Sequence, residues 1–290
     1  MMEGTYLPTN CEPAAIPKGA GEMTWPVHDG KNCDEFHAFV GTMIKHRPSE
    51  HTVVFRGQAV AGWSLKHSLA RHLLPRHDEE SAIHIEQESL KKFQEQAHLV
   101  LNPCALPERN DLPRWWAIMQ HYNAPTRLLD WTKSPFVALY FALVDKPGED
   151  GAVWQFDIGL LMKIMSKQFD HTTIDRSKFV EYFQSQSAPQ HLFPLDVYRK
   201  SDRMVVQQGL FTVCQNILGD HGKIIDEALT GTANSHGIFV IPHEHKTRML
   251  RQLESMNITA STLFPGIDGL GRSVSEFVRM EAQYEIGLLP

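Results

Sequence analysis

A chain of 290 residues, 42% hydrophobic and 21% charged, can bury a sizeable core in one large domain or two small ones, and no low-complexity tract or internal repeat interrupts it. Its formal charge of −6 excludes wholesale binding to a nucleic-acid backbone but leaves a local basic groove open. No apolar run reaches the roughly 18 residues of a membrane span, and the start of the chain lacks a basic n-region and an apolar h-region, so a cytoplasmic protein without a membrane partner is expected.

Residues 1–24, rich in Pro, Gly and Ala, are expected to form an irregular N-terminal arm. "NCDEFHAFVGTMIKHR" (Asn32–Arg47) repeats apolar residues at helical spacing, with Phe36, Phe39, Val40 and Met43 on one face. "TVVFRGQ" follows as a buried strand whose end meets a turn, and "SAIHIEQESLKKFQEQAHLV" (Ser81–Val100) as a long helix with a stripe of Ile85, Leu90, Phe93 and Ala97. "LPRWWAIMQHY" predicts another helix with Pro113 in its first turn, and "SPFVALYFALV" a helix capped by Ser134 with Pro135 at its first position. Strands are predicted at Gly151–Ile158, Arg203–Cys214 and Gly237–Pro242, then a helix from His245 to near Asn257, and a turn and final helix in "LFPGIDGLGRSVSEFVRM". This order has no regular βαβ beat and no G-x-G-x-x-G after a strand, which predicts an α+β fold rather than a doubly wound nucleotide fold.

Cys11, Cys33, Cys104 and Cys214 form no CxxC pair and are expected to be free thiols. The sixteen histidines, including the "HEH" at His243–His245, lack a clear metal-ligand spacing, so no metal is expected.

Polar chemistry concentrates in three places. Arg56, at the end of an apolar strand and followed by Gly57, places a guanidinium beside a backbone that a ligand can approach, which suits a phosphate or a ribose hydroxyl. In "QHYNAPTRLLDWT", the turn at Asn123–Pro125 leads into a short extended segment. If Leu128 and Leu129 face the core, Arg127 and Asp130 stand at its rim, Trp131 offers a flat wall, and His121 serves as a donor or general acid. The structural alternative is a buried Arg127–Asp130 pair. In "RMVVQQGLF", Gln207 and Gln208 alternate across a strand and Gly209 permits close approach. All three places are expected to converge on one cleft.

These stretches resemble the FRG domain family, named for an aromatic-Arg-Gly motif that stands here as Phe55-Arg56-Gly57. A second family mark, Q-H-Y-x-x-P-T-R-L-L-D-W-T followed by S-P-x-x-A-L-Y-F-A, is met by Gln120–Thr132 and Ser134–Ala142. R-x-x-x-Q-x-G-x-F is matched at Arg203, Gln207, Gly209 and Phe211, and a closing L-F-P-x-x-D-G-L at Leu263–Leu270. The resemblance spans roughly Val53–Ser273 and implies an FRG-type domain over residues 25–290, a single mixed domain whose small, largely antiparallel central sheet is flanked by helices. It also implies a bacterial or phage-associated setting of toxin or defence type.

The order of elements is remotely similar to ADP-ribosyltransferases: an Arg on a first strand, a polar block before a "YFA" helix, and a polar third strand. The third strand carries no Glu. Gln207 or Gln208 stands nearest, with Asp130 and Glu88 as candidate substitutes for the carboxylate that steadies an oxocarbenium-like centre.

The resemblance thus implies a nucleotide- or dinucleotide-using transferase or glycohydrolase with NAD as substrate. Arg56, with Gly57 and Gln58, would hold the diphosphate or ribose, and Thr126 and Arg127 the sugar. Trp131 or Tyr122 would stack on the base, Gln120 and Gln208 would complete the pocket, and His121, Asp130 and Gln207 would carry the chemistry. A non-catalytic nucleotide- or protein-binding module and a purely structural polar network are the competing readings.

Overall fold

Gly151–Asp157 (GAVWQFD) is buried at every residue, which requires a central strand covered on both faces. The computed structural model, which describes residues 25–45, 52–73, 77–168, 179–184, 191–195, 197 and 200–285, places it inside a seven-stranded sheet. The predicted arm at 1–24, the helix end at 46–47 and the side chain of Met43 lie outside the described residues.

In chain order the elements are β1 (Val27–Asp29), α1 (Cys33–Ile44), β2 (Val53–Gln58), α2 (Ser68–Leu73), α3 (Glu79–Val100), a 3₁₀ turn (Pro103–Ala105), α4 (Leu112–His121), β3 (Leu128–Thr132), α5 (Pro135–Leu143) and β4 (Gly151–Asp157). There follow α6 (Ile158–Gln168), α7 (Phe179–Gln184), β5 (Leu192–Leu195), α8 (Asp202–Val206), β6 (Gly209–Cys214), α9 (His221–Leu229), β7 (His236–Ile241), α10 (His243–Ser255), α11 (Ala260–Leu263) and α12 (Ile267–Glu285). The strand order is β1-β7-β4-β2-β3-β6-β5, antiparallel throughout except for the β1–β7 pair. The mixed α and β character and the largely antiparallel sheet match expectation, but the sheet is larger than the small one expected. No helix among the described residues is long and apolar enough to cross a membrane, and Cys33, Cys104 and Cys214 are free.

The sheet is not evenly zipped. β2 pairs with β4 from Val53↔Asp157 to Gln58↔Ala152, and β3 pairs with β6 from Leu128↔Val213 to Thr132↔Gly209. Between these ladders, β2 and β3 meet only at Phe55↔Thr132. On one face, α6 and α9 pack on Val54, Trp131, Trp154, Phe156 and Ile238. On the other, α5 with α1, α10 and α11 covers β2, β4 and β7, while α3, α4 and α7 cover β3 and β6. The two helix groups therefore diverge over the line where β2 and β3 part.

Helix α5 starts where the sequence predicts, with Ser134 Oγ accepting from Val137 N and Pro135 at the first position. Its apolar residues on all sides fit a helix sunk into the fold. It can sit so close because Gly57 and Gly151 lack side chains. A Cβ at Gly57 would lie 1.9 Å from the Ala138 carbonyl oxygen, and one at Gly151 2.4 Å from that of Ala142.

One predicted strand is half helix. Arg203–Val206 forms part of α8, because the Ser201 side chain accepts from Met204 N and caps a turn; Gln208 then adopts φ 50°, and the strand begins at Gly209. The elements α2, α6, α7, α9, β1 and β5 are not among those predicted.

The close seating of α5 has a direct test. Gly57→Ala, facing helix backbone that cannot yield, is expected to destabilise the fold by about 3 kcal/mol in urea unfolding; a change within error would mean that α5 is free to move away.

Candidate functional site

The gap between the two ladders opens into a cleft of about 1050 Å³. Arg56, Gln120, His121, Asp130, Gln207 and Gly209 all line it, so the three polar stretches come together although they are far apart in sequence.

The arrangement begins at a turn. Asn123 takes φ 62° and closes α4, with Ala124 N donating to Met119 O at 2.8 Å. The reversed chain brings Thr126 beneath Gln120, whose Oε1 accepts from Thr126 Oγ1 at 2.6 Å, while Leu128 N donates to the same hydroxyl at 3.2 Å. With its carbonyl engaged, Gln120 must present its amide nitrogen outward, and Nε2 donates to Asp130 Oδ2 at 2.8 Å. Asp130 is thereby held in one orientation while its side chain stays 55% exposed to the cleft.

Arg56 reaches across the gap. Its Nη1 donates to the Asp130 carbonyl at 2.8 Å and lies 3.8 Å from Oδ2, where a continued ladder would have joined the strands. Its Nε has no hydrogen-bond partner. Burial lowers the Arg56 pKa, Asp130 opposes that shift, and Arg71 adds to it. Arg203 stands on the far side, half-buried, with its guanidinium 4.6 Å over the Phe264 ring; burial lowers its pKa too, again against the pull of Asp130. The cationic side chains lining the cleft are Arg56, Arg71, Lys146 and Arg203, against the carboxylates Asp130 and Asp145. A protein of net charge −6 thus turns a positive balance into its cleft.

Several expected site residues do other work. Arg127 is not at the rim. It is 0% exposed, with Nε donating to Glu86 Oε1 at 2.7 Å, Nη2 to Glu86 Oε2, and Nη1 to Gln215 O at 3.1 Å. Its guanidinium lies 5.1 Å over Trp116 and 5.5 Å over Phe183, so neither the sugar contact nor the Arg127–Asp130 pair exists. Thr126 is buried and acts through Gln120. Trp131 lines the cleft but is only 3% exposed: it packs edge-on to Phe156 and donates from Nε1 to Thr212 Oγ1 at 2.8 Å, which leaves little of the ring open to a base. Tyr122 is exposed beside His121 and does not line the cleft. Gln208 is an exposed turn residue whose carbonyl accepts from Lys133 N. Gly57 offers the cleft only its main chain, since the space for a side chain belongs to α5. Glu88 is an exposed residue of α3 outside the cleft.

The others line the cleft. Gln207 does so with Nε2 donating to Leu263 O and its own carbonyl accepting from Thr132 Oγ1. His121 is half-buried, its pKa lowered first by burial and then by Arg203. Gln58 is 5% exposed and donates to Ser64 O, leaving Oε1 without a partner.

Sequence reasoning missed Glu86, although a carboxylate on the same helical stripe as Ile83 and Leu90 was a readable signal. It gave Arg203 no role beyond a motif match and passed over Trp63 and Arg71. It also missed buried Lys246, whose Nζ donates to the carbonyls of Ala59, Asp145 and Lys146 and so ties down the cleft lip; burial lowers its pKa to about 8.

Strand β2, which carries the Phe55-Arg56-Gly57 motif, and the polar block lie on one cleft. Residues 51–151 match the FRG domain family. Neither a curated protein nor a solved structure matches the chain. The FRG match runs from the approach to β2 to the first residue of β4 and so holds both Arg56 and Asp130; Arg203, Gln207 and the Leu263–Leu270 stretch lie outside it. Within the FRG motif, Phe55 fills the core beside α5, Arg56 faces the cleft and Gly57 admits the helix. Elsewhere, Asp150, His243 and Glu244 could hold a metal by proximity, but Asp150 Oδ1 already caps α10 by accepting from His243 N at 2.8 Å.

Behind the cleft lies a buried histidine pair, His67 and His221, with ring centroids 5.8 Å apart. Thr212 Oγ1, which accepts from Trp131 Nε1, lies 2.8 Å from His221 Nδ1, while His221 Nε2 is buried without a partner. His67 Nε2 donates to Ile217 O, which leaves Nδ1 to accept from Ala70 N. Burial pushes the His67 pKa down to about 3, with Arg127 adding to the shift, and holds His221 well below the ordinary imidazole value.

Two stability measurements follow. Glu86→Gln leaves the Arg127 charge buried without its counter-ion and is expected to cost about 3–5 kcal/mol in urea unfolding; a loss under about 1 kcal/mol would show that Arg127 is solvated by other means. The histidines set the sign of the pH dependence. The unfolded imidazoles, with pKa near 6.5, bind protons that the folded ones refuse, so their contribution is complete above about pH 6.5 and is lost as pH falls towards 3. At pH 5, His67 alone accounts for about 2 kcal/mol, and His67→Gln should remove that share of the slope between pH 7 and 5.

Proposed function

We propose that the cleft binds a nucleotide and acts on its N-glycosidic bond, with NAD as the substrate to test first. The observation that carries this reading is a single oriented carboxylate, Asp130, set among the cationic side chains of an otherwise acidic protein. An anionic diphosphate suits Arg56, Arg71 and Arg203, and Asp130 is positioned by Gln120 to meet positive charge developing on a ribose. In hydrolysis, water attacks the anomeric carbon, the carbon–nitrogen bond breaks, its electron pair leaves with nicotinamide, and Asp130 takes the proton from water. In transfer, an acceptor nucleophile replaces the water. The element order resembles ADP-ribosyltransferases, with Arg56 on β2 and the polar block ahead of α5.

A second reading, a nucleotide- or protein-binding module of a defence system, is favoured by one observation. β6 (GLFTVC) has no carboxylate, and Asp130 is already engaged by Gln120 and Arg56.

Nicotinamide release from NAD by wild-type and Asp130→Asn protein separates the two. The exposed Asp130 contributes at most about 1 kcal/mol through its ion pair, so the variant should keep its melting temperature. It is expected to turn over about 10²-fold more slowly or worse. Undiminished turnover in a stable variant removes Asp130 from the chemistry; a wild-type protein inert towards NAD leaves the binding module.

A further inference from the structure

We infer that one lobe of the cleft, bounded by Arg56, Gln58, Trp63 and Arg71, is a half-site for a nucleoside diphosphate, with the phosphates between the two guanidinium groups and the base on the Trp63 indole. This deepens the nucleotide reading above and rests on it.

Three observations point the same way. First, two buried polar atoms at this lobe have no partner: Arg56 Nε, a donor, and Gln58 Oε1, an acceptor. Gln58 is 5% exposed and its amide nitrogen is committed to Ser64 O, so its orphan is the oxygen and only a donor can satisfy it. Arg56 Nε requires an acceptor. The two residues stand two apart on β2, on the same face and about 6.6 Å from one another along the strand. A phosphate oxygen at Arg56 and a ribose hydroxyl at Gln58 supply an acceptor and a donor across such a span. Buried polar groups in folded proteins are almost always paired, so two orphans side by side in a cleft mark the place of a missing partner.

Second, Arg71 brings a further charge to this part of the cleft. Its Nη1 donates to the Lys66 carbonyl, which fixes the side chain on the cleft wall, and no carboxylate among the described residues lies in ion-pair range of it. Arg71 lies near enough to Arg56 to disfavour its charge, which Asp130 favours. Two guanidinium groups lining the same cleft suit a doubly charged phosphate ligand.

Third, Trp63 lines the same lobe and is 49% exposed. Unlike Trp131, it leaves an indole open to solvent beside the cations, the surface on which a heteroaromatic base stacks. The loop that carries it runs between β2 and α2 and is anchored at both ends, by Lys246 Nζ on Ala59 O and by Leu69 N on Thr126 O.

Titration calorimetry with ADP and with inorganic pyrophosphate tests the half-site on wild-type, Trp63→Leu and Arg71→Met protein; Trp63 is exposed, Arg71 lies on the surface, and circular dichroism melts check each fold. Wild-type protein is expected to bind ADP more tightly than pyrophosphate. Trp63→Leu should weaken ADP by at least about fivefold and leave pyrophosphate unchanged, since stacking involves only the base. Arg71→Met should weaken both ligands by about tenfold or more. Wild-type protein that fails to bind ADP, or binds pyrophosphate equally well, overturns the half-site, as does ADP affinity unaltered in both variants. The glycosidic reading fails separately: the expected ADP pattern in a protein that leaves NAD intact keeps the half-site and retires the chemistry. NAD turnover indifferent to both substitutions does the reverse.

Discussion

The bidentate contact between Arg127 and Glu86 is the constraint on which the cleft depends. A charge pair this deep is a poor stabilising device, because desolvating both ions consumes most of what their attraction returns. Its consequence is positional. Glu86 belongs to α3, Arg127 stands at the entrance to β3, and the guanidinium also reaches the Gln215 carbonyl just past β6 while lying between Trp116 of α4 and Phe183 of α7. One side chain therefore ties three helices to two strands. With Arg127 locked, its neighbour Thr126 can only face Gln120, and Asp130, three residues beyond Arg127, is delivered to the side of β3 that faces the gap.

The second constraint is the parting of β2 from β3. Strands that meet at a single residue pair leave main-chain groups that must be satisfied in another way. Here a side chain takes over: Arg56 bonds the Asp130 carbonyl, so the gap stays open without an orphaned oxygen. Gly57, the next residue, lets α5 pack hard against β2, which keeps the helix out of the gap and the wall straight. Core packing, cleft chemistry and helix seating fall on three consecutive residues, Phe55, Arg56 and Gly57. Substituting any one disturbs a different layer of the molecule.

What was legible in the sequence divides along physical lines. Helices with an apolar stripe or a cap were readable, as with the Phe36–Val40 face of α1 and Ser134-Pro135 before α5, because those signals are local. The convergence of Arg56, Gln120, Asp130 and Gln207 was also foreseeable, since polar interruptions of apolar structure need a shared place to go. Depth was not legible. Arg127 looks like a cleft residue in the chain, and only the tertiary position of Glu86 shows that it is consumed inside the fold; Trp131 reaches the cleft, but Thr212 takes its indole N–H and little of the ring is exposed. The strand predicted through Arg203–Val206 failed because β-branched residues outweighed a Ser201 cap in a five-residue helix, too short for periodicity to declare itself. Trp63 and Arg71 were passed over because no pattern distinguishes an exposed Trp at a cleft from one on an open surface.

The central claim is that the gap between β2 and β3 is the nucleotide site, and amide hydrogen exchange in the presence and absence of NAD tests it most directly. The account predicts slowed exchange in the loop from Ala59 to Ser64, at the junction of β3 with α5, and around Arg203–Gly209, with β7 and α12 unchanged. Protection confined to another surface, such as the exposed face of α12, or no protection at saturating NAD, would contradict it.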